Sequence, residues 1–210
     1  MFLEGSGADH IKSSCSGIYK ADVNFNICLY FCYMSFSIDT SKIIMQPVTV
    51  TFLEMHDPKE LPISLTGTHF GLLLNPIPVN EYRKFYYGVG ENHSWLDRMV
   101  MPDDELFDKI NASNVDIFLF YINKEMAGYI EFVKDEKYVE ILYFGLMPAF
   151  IGKGYGKYFL QWVITKAWSY KPEWIQLNTC TLDHPNALGT YKKAGFTEVR
   201  TEIHQRRVLV

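Results

Sequence analysis

The sequence predicts an α+β fold: a mostly antiparallel sheet flanked by helices, with a strand–loop–helix–strand unit in its second half. Three observations carry this. Short apolar runs of strand length recur from residue 46 onward, some alternating and one nearly continuous. Between them lie segments with apolar residues at helical spacing. The two kinds of segment are mixed along the chain, and two of the strands are joined by a hairpin signal.

The elements follow in order. Residues 48–55 alternate and read as a strand, and 68–74 form a second candidate. Residues 79–88 carry Tyr82, Phe85 and Tyr86 at helical spacing. Pro102, Asp103, Asp104 and Glu105 mark a helix start with acids in its first turn, followed by about ten helical residues. Residues 115–122 and 126–133 are strands joined by Asn123, Lys124 and Glu125. After a turn at 134–137, residues 138–147 form a nearly continuous apolar strand, as expected at the centre of a sheet. Leu160, Val163, Ile164, Ala167 and Trp168 then give an amphipathic helix that Pro172 ends. A strand at 174–180, a short helix at 185–194 stopped by Gly195, and a last strand at 196–204 complete the chain.

The bulk numbers narrow the function. At 210 residues the chain is most simply one domain, large enough to bury a full core. A formal net charge of -4 gives no basic footprint and argues against nucleic acid as a partner. Cys15, Cys28, Cys32 and Cys180 include no CxxC pair, so neither a disulfide framework nor a zinc pattern is present, and no metal is expected. A reducing, cytoplasmic setting is the default. The apolar run at 25–38 is too short to span a bilayer, is interrupted by Asn26, Ser35 and Ser37, and precedes no clear small-residue cleavage site, so no membrane association is expected. Residues 1–44 are rich in Ser, Cys and Asn and lack a helical period. They read either as an appended element, such as a hairpin at 24–37, or as an upstream extension with the domain proper at 45–210. The second reading is favoured.

The most informative stretch is Ile151-Gly152-Lys153-Gly154-Tyr155-Gly156-Lys157, which follows the central strand and opens a helix. Glycines at that density imply backbone conformations or close approaches that other residues forbid. A strand ending in glycines before a helix outlines an anion site. It is not a dinucleotide loop: the pattern is GxGxG rather than GxGxxG, and no acid stands at the ribose position. It is not a nucleoside-triphosphatase loop either, since Gly156-Lys157 is followed by Tyr158 and Ile151 stands where the first glycine belongs.

The loop resembles instead the pyrophosphate loop of the GCN5-related N-acetyltransferases, Gln/Arg-x-x-Gly-x-Gly/Ala. Gly154 and Gly156 match its small positions, and Ile151 replaces the Gln or Arg. Downstream, HPNALGTYKKAGF resembles the family's Asn-x-x-Ala-x-x-x-Tyr-x-x-x-Gly-Phe element. Ala187, Tyr191, Gly195 and Phe196 fall on its positions, with His184 in place of Asn. The resemblance covers roughly residues 46–205. It implies a GNAT-like sheet whose central parallel strands, 138–147 and 174–180, splay into a wedge for acetyl-CoA. Gly145 is the expected bulge that opens this wedge. Leu146 and Met147 would pair with the pantetheine arm, and the amides of Ile151, Gly152, Lys153, Gly154, Tyr155, Gly156 and Lys157 would hold the pyrophosphate, with Lys153 and Lys157 adding charge.

Acetyl transfer to an amine requires a neutral amine, a polarised carbonyl and a proton for the departing thiolate. Tyr191 matches the family's tyrosine that protonates the sulfur and contacts the cofactor; alternatively it is a packed helix residue. Glu140 stands fourteen residues before Gly154, the offset of the base glutamate in the histone-acetyltransferase branch. Glu131 is the second candidate base. His184 is a third, or a helix cap beside the cofactor. On the acceptor side Tyr87, Trp95 and Tyr143 are expected to form an aromatic wall, and Asp97 to recognise a cationic amine; core packing is the alternative for each. The resemblance therefore implies a monomeric or homodimeric N-acetyltransferase acting on a small-molecule or peptide amine by direct transfer. An acyl-CoA-binding sensor without turnover and a plain structural domain are the alternatives.

Overall fold

The computed structural model describes residues 38–58, 67–73 and 76–210. Most of the expected extension, the hairpin considered at 24–37, and Cys15, Cys28 and Cys32 therefore lie outside the described residues. The boundary expected at Met45 falls inside the first strand, β1 (Ile43–Met55), whose Ile43 and Ile44 pair with Leu209 and Val208.

The chain continues through β2 (Thr68–Leu72), then three helices, α1 (Val79–Gly90), α2 (Asp97–Val100) and α3 (Asp103–Ile110). Next come β3 (Val115–Ile122), β4 (Glu125–Lys134) and β5 (Tyr138–Leu146). The last elements are α4 (Tyr155–Ser169), β6 (Trp174–Cys180), α5 (Ala187–Ala194) and β7 (Thr197–Leu209). The seven strands make one sheet in the order β2-β3-β4-β5-β6-β1-β7. Every neighbouring pair is antiparallel except β5 with β6, which places β5 at the centre as its apolar run predicts. Asn123 and Lys124 both adopt positive φ, the two-residue turn that joins strands with the right-handed twist.

The sheet separates two cores. On one face α4 lays Phe159, Leu160, Val163, Ile164 and Ala167 against Phe120, Phe132, Ile141 and Leu177. On the other, α1 and α3 bury Tyr82, Phe85, Val89, Leu106 and Ile110 against Ile117, Leu119 and Tyr129. Period-two alternation within β3 and β4 feeds both.

The bulge in β5 is not at Gly145. The register with β4 shifts between the Glu131–Tyr143 and Phe132–Ile141 partners, so Leu142 is the extra residue. Gly145 is regularly paired with Tyr129. Its lack of a side chain serves packing: a Cβ there would stand 2.4 Å from Val89 Cγ1, so α1 lies directly on the strand. Gly145→Ala should therefore lower stability by roughly 1–3 kcal/mol, the usual cost of overpacking. Because the clash is with one γ-carbon, the Gly145→Ala/Val89→Ala double variant should be destabilised by clearly less than the sum of the two single variants in urea unfolding. Additive effects would contradict this account of Gly145.

Candidate functional site

Beyond Ile141 and Leu177 the central strands part. Their parallel ladder pairs Tyr138 with Trp174, Val139 with Ile175, Glu140 with Gln176 and Ile141 with Leu177, and ends there. β5 continues to Leu146 along β4, and β6 continues to Cys180 along β1. The facing edges of residues 142–146 and 178–180 thus have no strand partner among the described residues. Backbone groups left this way require another partner. A cleft of about 590 Å³ opens between them, within the range of small-molecule sites (~300–1,000 Å³).

The glycine loop closes one end. Gly152 and Gly154 have φ of 78° and 85°, conformations that side chains rarely adopt. A Cβ at either would meet nothing within 4 Å, so conformation rather than crowding within the chain explains them. Gly154 is the N-cap of α4 and supplies no capping side chain, which leaves first-turn amides free of a side-chain partner. Leu146, Ile151, Gly152, Gly154, Gly156 and Lys157 line the cleft. Lys153 and Tyr155 do not: Lys153 lies over the Phe150 ring, and Tyr155 packs against that ring. Met147 also points away, its amide bonded to Ala127 O (2.8 Å) and its thioether packed under Gly88 of α1.

Tyr191, from α5, reaches the cleft from the opposite wall. Its hydroxyl makes no hydrogen bond among the described residues. Burial, and secondarily the nearby Asp183 carboxylate, push its pKa well above the ordinary tyrosine value, so it stays protonated. Asp183 Oδ2 accepts from Thr179 Oγ1 and from the Cys180 amide, both at 2.8 Å. His184 lines the cleft too, but its Nδ1 accepts the Asn186 amide (3.1 Å), a local cap on the approach to α5.

The candidate bases separate. Glu131 is 0% exposed, and both of its oxygens are engaged: Arg98 Nη2 donates to Oε1 (2.9 Å) and Tyr82 Oη to Oε2 (2.6 Å). It does not line the cleft, and its geometry is that of a buried structural ion pair. Glu140 forms no ion pair with Lys137. Like Glu131 it does not line the cleft; it is half-buried one residue before Ile141, which does, and burial raises its pKa against an opposing pull from Arg200.

The cleft's aromatic wall contains Tyr86 rather than Tyr87. Trp95 and Tyr143 stand 5.1 Å apart, Tyr86 lies 5.1 Å from Tyr143 and 5.6 Å from Trp95, and all three line the cleft. Tyr87, one residue on, turns to the other side of α1 and donates to Glu91 (2.7 Å). Asp97 lines the cleft but is not a free anion: Arg207 bonds it at 2.5 Å and Arg206 at 3.4 Å. Sequence inspection missed these arginines, 109 and 110 residues away, because nothing local links them to Asp97. Asp183 and Cys180 also line the cleft, unexpected from the sequence although both lie just upstream of the element that begins at His184.

Among the described residues no group of His, Cys, Asp and Glu could hold a metal ion, and no helix is long and apolar enough to cross a membrane. The sequence profile of the Acetyltransferase (GNAT) family matches residues 79–196, more than half the chain and all of the cleft's central elements. The chain belongs to that family. Its fold is similar to a functionally unknown conserved protein from Staphylococcus epidermidis (15% identity, TM-score 0.53) and to GCN5-related N-acetyltransferases from Sphaerobacter thermophilus (14%, 0.54) and Kribbella flavida (10%, 0.51). Each match covers 79% of this chain, which spans only 64%, 54% and 60% of those proteins. A comparison with curated proteins finds no match. In this GNAT chain the parted strands, glycine loop and Tyr191 lie on a single cleft.

The positive φ of Gly154 yields a test. A β-branched side chain there is strongly disfavoured, so Gly154→Val should shift the loop and its amides. Calorimetric titration should show CoA affinity reduced at least tenfold, with a folded protein by circular dichroism. Unchanged affinity would remove the loop from the binding site.

Proposed function

We propose that this chain moves an acetyl group from acetyl-CoA to an amine by direct transfer, without a covalent enzyme intermediate. The observation that carries the proposal is the parting of β5 from β6 beyond Ile141 and Leu177, with the glycine loop at the mouth of the gap. An extended pantetheine arm with amides along its length suits the unpaired edge near Leu146. A pyrophosphate suits the uncapped α4 terminus, whose glycines leave open space and whose Lys157 adds positive charge. Ile151, 42% exposed, contributes a side chain with no charge, so in this chain the backbone carries that contact. Acetyl-CoA supplies the activated acyl group as a thioester.

The chain's own residues divide the proton work. Glu140, next to Ile141 at the edge of the cleft and with its carboxyl pKa raised by burial, takes a proton from the incoming ammonium through water. Tyr191, kept protonated, donates from Oη to the departing sulfur. Tyr86, Trp95 and Tyr143 form an apolar wall that keeps water from the acceptor side.

Acetyl-CoA titration followed by thiol release over an amine panel tests the proposal; a protein that binds no CoA ends it. The two residues differ in their pH signatures. Glu140 must be deprotonated, so wild-type rates rise with pH through its raised pKa. Glu140→Gln should lower turnover most near neutrality and less as rising pH supplies neutral amine. Tyr191→Phe should lower turnover at every pH below the thiol's pKa. Losses of ~10²–10⁴-fold are expected for general acid or base help. A Glu140→Gln profile matching wild type assigns the base elsewhere, and a fully active Tyr191→Phe removes the acid.

A further inference from the structure

The acceptor end of the cleft carries an arrangement that the transfer chemistry does not use. One carboxylate, Asp97, is shared by two guanidiniums from consecutive residues of β7. The cluster therefore keeps a net positive charge. Arg207 makes the short bond, at 2.5 Å, and does not line the cleft. Arg206 does line it, and its single contact to Asp97, at 3.4 Å, is its only hydrogen bond or ion pair among the described residues. Most of its five donors are thus unengaged, on a side chain about one-third exposed. Asp97 fixes the guanidinium's direction without consuming its fork.

Asp183 stands on the same cleft with the opposite charge. Both of its hydrogen bonds go to Oδ2, which leaves Oδ1 without a partner among the described residues. Its field reaches both Tyr191 and Cys180, and the field of Arg206 also reaches Cys180. Cys180 therefore lies within reach of both a carboxylate and a guanidinium. The other cleft groups that can carry charge are Lys157 at the glycine loop, and His93 and His184. The two rings stand 6.5 Å apart, with His93 Nδ1 at 3.3 Å from Leu182 O.

We infer that the acceptor is itself anionic at one end: its amine is drawn to the Asp183–Tyr191 side, and a carboxylate or phosphate on the same small molecule is received by the Arg206 guanidinium. A planar fork binds such groups through two parallel hydrogen bonds, a geometry that Lys cannot match. The apolar wall of Tyr86, Trp95 and Tyr143 accommodates the body of the molecule, so an amino acid with a hydrophobic side chain fits better than a polycationic amine. The site first expected to attract a cation through Asp97 selects an anion, because two arginines outweigh that carboxylate. The inference rests on the acetyl-transfer proposal and names its substrate class.

The test separates the two. Acetyl-CoA is titrated first; no binding removes the transfer proposal and this inference with it. With CoA binding established, thiol release is measured over matched pairs: L-phenylalanine, L-leucine and L-methionine against their amides, and phosphoethanolamine against ethanolamine. The expected result is at least a tenfold higher kcat/KM for the anionic member of one set. The set that responds distinguishes carboxylate from phosphate. Arg206→Leu should then collapse that anionic-over-neutral ratio by about 10–100-fold, the range for a charge-assisted bond to a guanidinium, and Arg206→Lys should recover only part of it. Neutral members used as well as or better than anionic ones, no member of any pair accepted, or a ratio unchanged in Arg206→Leu would each overturn the inference while leaving CoA binding and the transfer proposal in place.

Discussion

The central strand pair is closed for four rungs and open afterwards, and the rest of the molecule is organised around that change. β5 can leave β6 because each strand has a second neighbour: β4 holds β5 to Leu146, and β1 holds β6 to Cys180. Neither outer ladder is broken by the separation. The extra residue, Leu142, comes immediately after the last shared rung, and a bulge of this kind bends its strand and increases its local twist. The unpaired edges that result would be a liability in a closed sheet; here they line a cleft.

A parted sheet needs something to hold its halves at a fixed spacing, and α2 does this with two adjacent residues. Arg98 turns inward to Glu131 on β4, beside the Tyr143 ring at 5.5 Å, and Asp97 turns to Arg206 and Arg207 on β7. One short helix therefore joins the β2–β5 half to the β6–β7 half across the cleft. The Glu131 end is sealed and dry. Removing one partner of such a buried pair leaves an uncompensated charge, so it is anchored strongly. The Asp97 end is part-exposed and screened, so it anchors more weakly.

Burial has opposite consequences for the two glutamates once weighed as bases. Neither lines the cleft, but Glu131 is entirely enclosed with both oxygens bonded, to Tyr82 and Arg98. Glu140 is less buried, and no ion pair or hydrogen bond holds it among the described residues. Desolvation therefore raises its pKa without a partner fixing its proton. Tyr191 shows the same logic at a hydroxyl, with Asp183 reinforcing the effect of burial.

The sequence by itself determined most of the strands and helices, because period-two and 3.6-residue patterns are local; α2, only 4 residues long, is too short to show one and was not expected. Strands 115–122 and 174–180 were legible residue for residue, and β5 was recognisable as central from its unbroken apolar run. The glycine loop and the Tyr191 element were legible because their spacing along the chain is itself the signal. Tertiary structure decided what depends on register and distance. The bulge fell at Leu142 rather than Gly145 because strand pairing, not glycine content, sets the register, while Gly145 answers to Val89 on a different element. Tyr86 rather than Tyr87 faces the cleft because a one-residue step along a helix turns a side chain by about 100°. The partners of Asp97 lie more than a hundred residues away on the last strand, and no pattern along the chain records which charges a fold will bring together.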